Sequence, residues 1–263
     1  PYYGLRDYNV KGQIGLEPTL KEYIDRMLVV TAECKRVLKK TGTLWWNHGD
    51  SYGGSNSGGI EDNKAAQKGT GKTTLGKHRP TKDIYHKCLI LQAHRLAIRM
   101  IDEQGWILRN TIIWHKPNAM PSSVKDRFTV DYEPIFFFSK SKKYYFERQF
   151  EPHLTQENRP DGIVRNREYG YDSKENKLRG HKTKKMKAQP QPPQHHGADI
   201  GYGKKGRNKR TVWRIPTKPF PEAHFAVYPE TLCETPIKAG CPEGGVVLDP
   251  FFGAGTVGVV SKE

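Results

Sequence analysis

Apolar residues return along the chain in two periods, and the switches between them outline a fold. Leu20, Ile24, Met27, Thr31, Cys34 and Leu38 recur at three- and four-residue steps, the spacing of one helical face. This predicts a helix over 20–40 packed on a sheet, with Gly42 as its stop. Thr43, Leu44, Trp45 and Trp46 then form a short apolar run ending in the polar Asn47-His48-Gly49-Asp50-Ser51-Tyr52, the pattern of a buried strand that delivers polar groups at its C-terminal end. Helical spacing resumes from Leu89 to Glu103 through Leu89, Ala93, Leu96, Ala97 and Met100, with Gly105 as the stop. Strands are predicted at 106–114 and 132–139, the second carrying Ile135-Phe136-Phe137-Phe138. Val212-Trp213-Arg214-Ile215, a helix over 229–239 and a strand at Gly245-Val246-Val247-Leu248 complete the pattern. Alternating helices and strands argue for an α/β fold, doubly wound around a mostly parallel sheet.

Two stretches break the pattern. Residues 53–84 are rich in Gly, Ser, Asn and Lys with almost no large apolar residue, which reads as a loop. From Lys140 to about Arg210, the residues Lys182, Lys184, Lys185, Lys187, Lys204, Lys205, Arg207, Lys209 and Arg210 stand among Gly, Pro, Gln and His, and few there could build a core. The chain has 263 residues, room for one large domain with a substantial insertion. Its 44 Lys and Arg against 28 Asp and Glu give a formal charge of +16, which favours a polyanionic partner. No run of about 18 apolar residues and no signal-like N-terminus is present, so nucleic acid is a better partner than a membrane. Cys34, Cys88, Cys233 and Cys241 are too scattered for a disulfide framework and form no C-x-x-C pair for zinc, which fits a reducing cytoplasm and no metal.

The most informative stretch is Val246 to Thr256, an apolar strand running into an acidic residue and then a glycine turn. Nucleotide-like cofactors are seated this way at a sheet edge, where glycine lets the backbone approach the ligand. Gly253, Gly255 and Gly258 satisfy G-x-G-x-x-G, a weak signal alone.

Asp249-Pro250-Phe251-Phe252-Gly253-Ala254-Gly255-Thr256 resembles the S-adenosyl-L-methionine (AdoMet) motif D-P-F-x-G-[SA]-G-T of the amino-methylating DNA methyltransferases. The opening Pro1-Tyr2-Tyr3-Gly4-Leu5-Arg6-Asp7-Tyr8 resembles that family's catalytic motif [SDN]-P-P-Y without its first two residues. Gly42 to Tyr52, Trp114 to Pro121, and His224-Phe225-Ala226-Val227-Tyr228-Pro229 are similar to further segments of the family. The order, catalytic motif first and AdoMet motif last, is that of the permuted β class. Both ends read as truncated, since no initiator Met precedes Pro1 and the chain stops soon after the glycine turn.

The resemblance implies an AdoMet-dependent, Rossmann-like methyltransferase that modifies an exocyclic amine of double-stranded DNA, cytosine N4 first and adenine N6 close behind. It implies a bacterial or phage origin and a cytoplasmic setting, and leaves room for a cognate restriction endonuclease as partner. Residues 1–140 would form the catalytic half, 141–211 a basic target-recognition insertion and 212–263 the AdoMet-binding half. Pro1 and Tyr2 would be catalytic. Asp249, Pro250, Phe251, Gly253, Gly255, Thr256, Phe225 and Tyr228 would hold AdoMet, and Lys182, Lys184, Lys185, Lys204, Lys205, Arg207 and Arg210 would meet DNA.

The chemistry is consistent with that list. An exocyclic amine is a poor nucleophile until its N–H groups are hydrogen-bonded, and it must leave the duplex to react. The ring of Tyr2 would stack on the extruded base. Transfer is a direct displacement, so no nucleophilic cysteine is required.

Blander readings compete at several positions. Tyr2 could be a core aromatic, and Asp249 could merely cap its turn by accepting backbone N–H groups. Asp50 reads as a turn residue first and a ligand second. Gly69-Thr70-Gly71-Lys72-Thr73-Thr74 resembles the end of a P-loop, but Ala66 stands where the first glycine belongs and no apolar strand precedes it. His195 and His196 lack a third ligand at metal-binding spacing. A basic run is most often a solvated one, and a DNA-binding remnant without catalysis is the alternative from another class.

Overall fold

The computed structural model describes residues 2–4, 10–53, 87–152, 206–218 and 227–262. The chain divides into two compact units, residues 1–149 with 210–263 and residues 150–209.

In the larger unit, α1 spans Leu20–Val37, and its buried side, Leu20, Tyr23, Ile24, Met27, Leu28, Thr31 and Cys34, follows the three- and four-residue steps of one face. A reciprocal Thr19–Glu22 capping box starts it. It ends where Leu38 turns extended, short of the expected Lys40. β1 follows at Thr43–Asn47, α2 at Gln92–Gln104, β2 at Ile107–His115 and β3 at Tyr132–Ser139. Gly105 closes α2 in the left-handed conformation at φ 64°, a geometry that glycine adopts without a Cβ penalty.

Within this unit β6 (Val212–Arg214) joins β1–β3 in a four-stranded sheet of order β1-β3-β2-β6. β3 runs antiparallel to both β1 and β2, and β6 lies parallel to β2. The sheet formed by the described residues is thus mixed, and the mostly parallel sheet expected from the sequence is not seen in it. The strand expected at 245–248 is also missing. Val246 is 84% and Leu248 61% exposed, because no described strand lies beside them to offer a ladder or a packing face.

β3 explains its own apolar run. Alternate side chains point to opposite faces, so Phe136 and Phe138 join α1, α2, Trp46 and Trp106 in one core, while Ile135 and Phe137 join Ile112, Trp114, Trp213 and Leu232 in another. Leu232 belongs to α3 (Glu230–Gly240), so helices cover both faces of the sheet. α4 (Thr256–Val260) follows the glycine turn. Among the described residues no helix is long and apolar enough to cross a membrane.

The smaller unit contains β4 (Phe150–Glu151) and β5 (Arg207–Asn208), an antiparallel pair in which Phe150 faces Asn208 and Glu151 faces Arg207.

Candidate active site

The C-terminal end of β1 is the meeting point. Beyond Asn47 the chain presents His48, which is 2% exposed and bonded through both ring nitrogens. Nδ1 accepts the Trp46 indole N–H at 3.2 Å. An indole can only donate, so the neutral ring carries its proton on Nε2 and donates to the Tyr23 hydroxyl at 2.9 Å. Burial pushes the His48 pKa down to about 3, which keeps it neutral.

Above this histidine lies Tyr2, with ring centroids 5.7 Å apart. Its hydroxyl donates to Glu133 Oε2 at 3.1 Å, and Glu133 Oε1 is ion-paired with Lys116. Lys116 follows β2 and Glu133 is the second residue of β3, so the ends of two adjacent strands fix the tyrosine. The Lys116 ammonium also stands 4.4 Å from the Trp114 ring centroid. Burial and the neighbouring Glu133 carboxylate raise the Tyr2 phenol above its usual range, so it stays a donor. Gly49 leaves room here: a Cβ on it would lie 3.3 Å from both the Tyr2 ring and the Glu133 carboxyl carbon, tight enough to push on both.

Behind Tyr2 the backbone is held from α2. The Tyr3 N–H donates to Oε1 of the fully buried Gln92 at 3.0 Å. Asp50 Oδ1 accepts from the backbone N–H groups of Ser51 at 2.8 Å and Gln92 at 3.2 Å, so it caps α2 and supports the turn reading made from the sequence. Burial raises its carboxyl pKa.

The glycine turn approaches from the other side. Asp249 Oδ1 accepts the Phe251 N–H at 2.9 Å, a cap of its own turn, and Oδ2 accepts from the Tyr228 hydroxyl at 3.4 Å. Burial and Asp249 raise the Tyr228 phenol above its usual range. Gly253 and Gly255 have φ of 51° and 83°, and Thr256 opens α4 directly after them. Pro250 is exposed between Asp249 and Phe251. The Phe251 ring meets Trp46 edge-on at 5.9 Å, which places the turn against β1.

These residues fit AdoMet. The left-handed glycines open the backbone, Asp249 keeps acceptor capacity beyond its two bonds, and Phe251 and Phe252 present exposed rings at the turn.

Of the expected site residues, the structure therefore gathers Tyr2, Asp249, Phe251 and Tyr228 around Trp46 and His48. Arg207 is ion-paired with Glu151 at 2.9 Å, and the Arg210 carbonyl accepts the Trp213 indole N–H at 2.8 Å. Pro1, Phe225, Lys182, Lys184, Lys185, Lys204 and Lys205 lie outside the described residues, as do the P-loop-like segment and His195–His196. Glu133, Lys116 and Gln92 were not foreseen as site residues. The signal for Glu133 was a carboxylate two residues before the apolar run Ile135-Phe136-Phe137-Phe138.

A family model described as DNA methylase matches residues 1–263. Type II methyltransferase M.Cfr9I of Citrobacter freundii is 37% identical over 263 residues, all of this chain and 71% of that protein. Type II methyltransferase M.SmaI of Serratia marcescens is also 37% identical, again over the whole chain and 74% of its own length. Among solved structures, PvuII DNA methyltransferase (cytosine-N4-specific) shares the fold at a TM-score of 0.56 with 18% identity, covering all of this chain and 68% of that one. Family match, relatives and fold agree with the motifs at either end of the site, and the chain belongs to the DNA methylase family of AdoMet-dependent DNA methyltransferases that act on cytosine N4 or adenine N6.

Proposed function

We propose that the protein transfers a methyl group from AdoMet to the exocyclic amino group of a base extruded from double-stranded DNA, with cytosine N4 as the target. One observation carries the proposal. The Trp46 indole touches Phe251 with its ring and His48 with its N–H, and His48 lies under Tyr2, so one side chain spans the donor motif and the base-facing tyrosine.

AdoMet supplies the electrophilic methyl group, and the protein's own residues arrange the rest. Asp249, Gly253, Gly255 and Thr256 hold the donor at the turn, with Phe251, Tyr228 and Phe225 along its side and Pro250 fixing the entry of the turn. Tyr2 stacks on the base, which offsets part of the few kcal/mol that extrusion costs, since stacking on an aromatic ring contributes about 1–3 kcal/mol per base. Its hydroxyl, tied to Glu133, keeps the ring from swinging into the space the base needs. Pro1 belongs to the same motif as Tyr2.

The basic stretch within 141–211 is the target-recognition region, in which Lys182, Lys184, Lys185, Lys204, Lys205, Arg207 and Arg210 meet mainly phosphates. Cytosine is favoured by the likeness of Tyr2-Tyr3-Gly4-Leu5-Arg6-Asp7-Tyr8 to members whose motif begins with Ser, and by the cytosine-N4-specific neighbour in fold. The Type II relatives make a cognate endonuclease the expected partner.

Nucleoside mass spectrometry on DNA from a methylation-free host expressing the full reading frame tests this. N4-methylcytosine is expected, and N6-methyladenine would replace the base while keeping the reaction. Soluble protein with neither product would leave a DNA-binding protein without catalysis.

A further inference from the structure

β2 and β3 are joined by residues 116–131, and this connection is braced at several points. Its root is closed by the Lys116 N–H donating to the Asp131 carbonyl at 2.7 Å. The Asn118 side chain donates to the Thr217 carbonyl at 2.8 Å, and its Oδ1 accepts the Thr217 N–H at 2.9 Å and hydroxyl at 3.2 Å. Asp126 pairs with Lys87 at 2.9 Å, and the Arg127 guanidinium stands 3.9 Å over the Tyr52 ring.

On this braced segment two large apolar side chains are uncovered. Phe128 is 96% exposed and Met120 88%. Large apolar side chains exposed on a loop that rises beside a functional site are suited to contact with a partner. The residues that end and follow the connection identify which partner. Lys116 and Glu133 are the pair that fixes the Tyr2 hydroxyl, so the loop rises directly from the place where the extruded base would stack. The exposed Lys125 lies three residues before Phe128 and brings positive charge to the same loop.

We propose that this loop is a DNA wedge: the Phe128 ring enters the base stack at the gap opened by the departing base. Extrusion leaves unstacked neighbours, and an apolar side chain inserted between base steps restores contact with their faces. The bracing means that little order need be gained on binding, so the ring is available when the base leaves. The inference rests on the methyl-transfer reading above.

The test uses duplexes carrying the site at which the protein modifies host DNA, with 2-aminopurine beside the target base, and a second duplex with the target mispaired. Wild-type protein is expected to raise the 2-aminopurine signal. Phe128→Ala is expected to lose most of that rise and about tenfold in kcat/KM on the paired duplex, with AdoMet affinity unchanged. The mispaired duplex, whose base is cheaper to extrude, should restore Phe128→Ala to near wild-type rate.

Wild-type behaviour of Phe128→Ala on the paired duplex overturns the wedge. So does an equal loss on both duplexes, which would make the ring a general DNA contact. Conversion of a dimer to a monomer by Phe128→Ala without DNA would assign the surface to a second copy and overturn it too. If wild-type protein methylates neither duplex, the methyl-transfer reading fails and the wedge with it.

Discussion

The amide oxygen of Gln92 accepts the backbone N–H of Tyr3 at 3.0 Å, although the two residues are 89 apart in sequence. The bond ties the first residue of α2 to the segment that carries Tyr2, and Asp50 fixes Gln92 in turn. Gln92→Leu would leave the Tyr3 N–H without an acceptor, at a cost of about 1–3 kcal/mol. The expected result is a lower kcat with AdoMet affinity retained, and recovery in Gln92→Glu, which keeps the acceptor oxygen. Steady-state kinetics with calorimetric AdoMet titration separate this from unfolding, in which both quantities fall together.

Tyr2 combines a stacking face with a hydroxyl anchored to Glu133. Tyr2→Phe keeps the face, and Glu133 keeps Lys116, so a loss of a few-fold in methyl transfer is expected. Tyr2→Ala removes the stacking as well, and its transfer rate should fall roughly 10- to 100-fold, the equivalent of about 1–3 kcal/mol. AdoMet affinity should be unchanged in both, as read by equilibrium binding. Equal rates for the two variants would deny the ring a role.

Gly255 sits at φ 83°, and a Cβ there would come within 3.0 Å of the Phe252 ring. Gly255→Val combines a strained backbone with a side chain crowding the turn. AdoMet binding should be abolished in a titration, while circular dichroism remains that of a folded protein. Binding at wild-type affinity would place the donor elsewhere.

His48 gives a pH signature. Its pKa in the folded protein, about 3, lies below the ordinary 6.5, so the unfolded chain takes up the proton first as pH falls. The stability associated with neutral His48 is whole above about pH 6.5 and is lost as pH drops toward about 3, by up to about 1.4 kcal/mol per pH unit. Urea unfolding at several pH values should show this slope. In His48→Gln, which does not titrate, the slope between those limits should be shallower. An unchanged slope would mean that other groups set it.

Local pattern carried most of the architecture into view. β3 was legible to its bounds because nearly every position in it is apolar, and α2 because its periodic face ends at a glycine held at φ 64°. The glycine turn was legible because its residues act locally, Asp249 on Phe251 and Gly255 on Phe252. What lay beyond pattern was distant pairing. Tyr2 and Glu133 are 131 residues apart, and nothing near either one names the other. The sequence also offered β-branched residues at 245–248, but propensity cannot supply a neighbouring strand, and the segment stays unpaired among the described residues.

The ladder between Phe150 and Asn208 and between Glu151 and Arg207 sets residues that lie more than fifty positions apart in sequence side by side, with the Glu151–Arg207 ion pair across it. On the proposed target-recognition role of residues 141–211, substitutions between 152 and 206 would leave these four paired residues untouched, so a change of target would not require a change at the ladder.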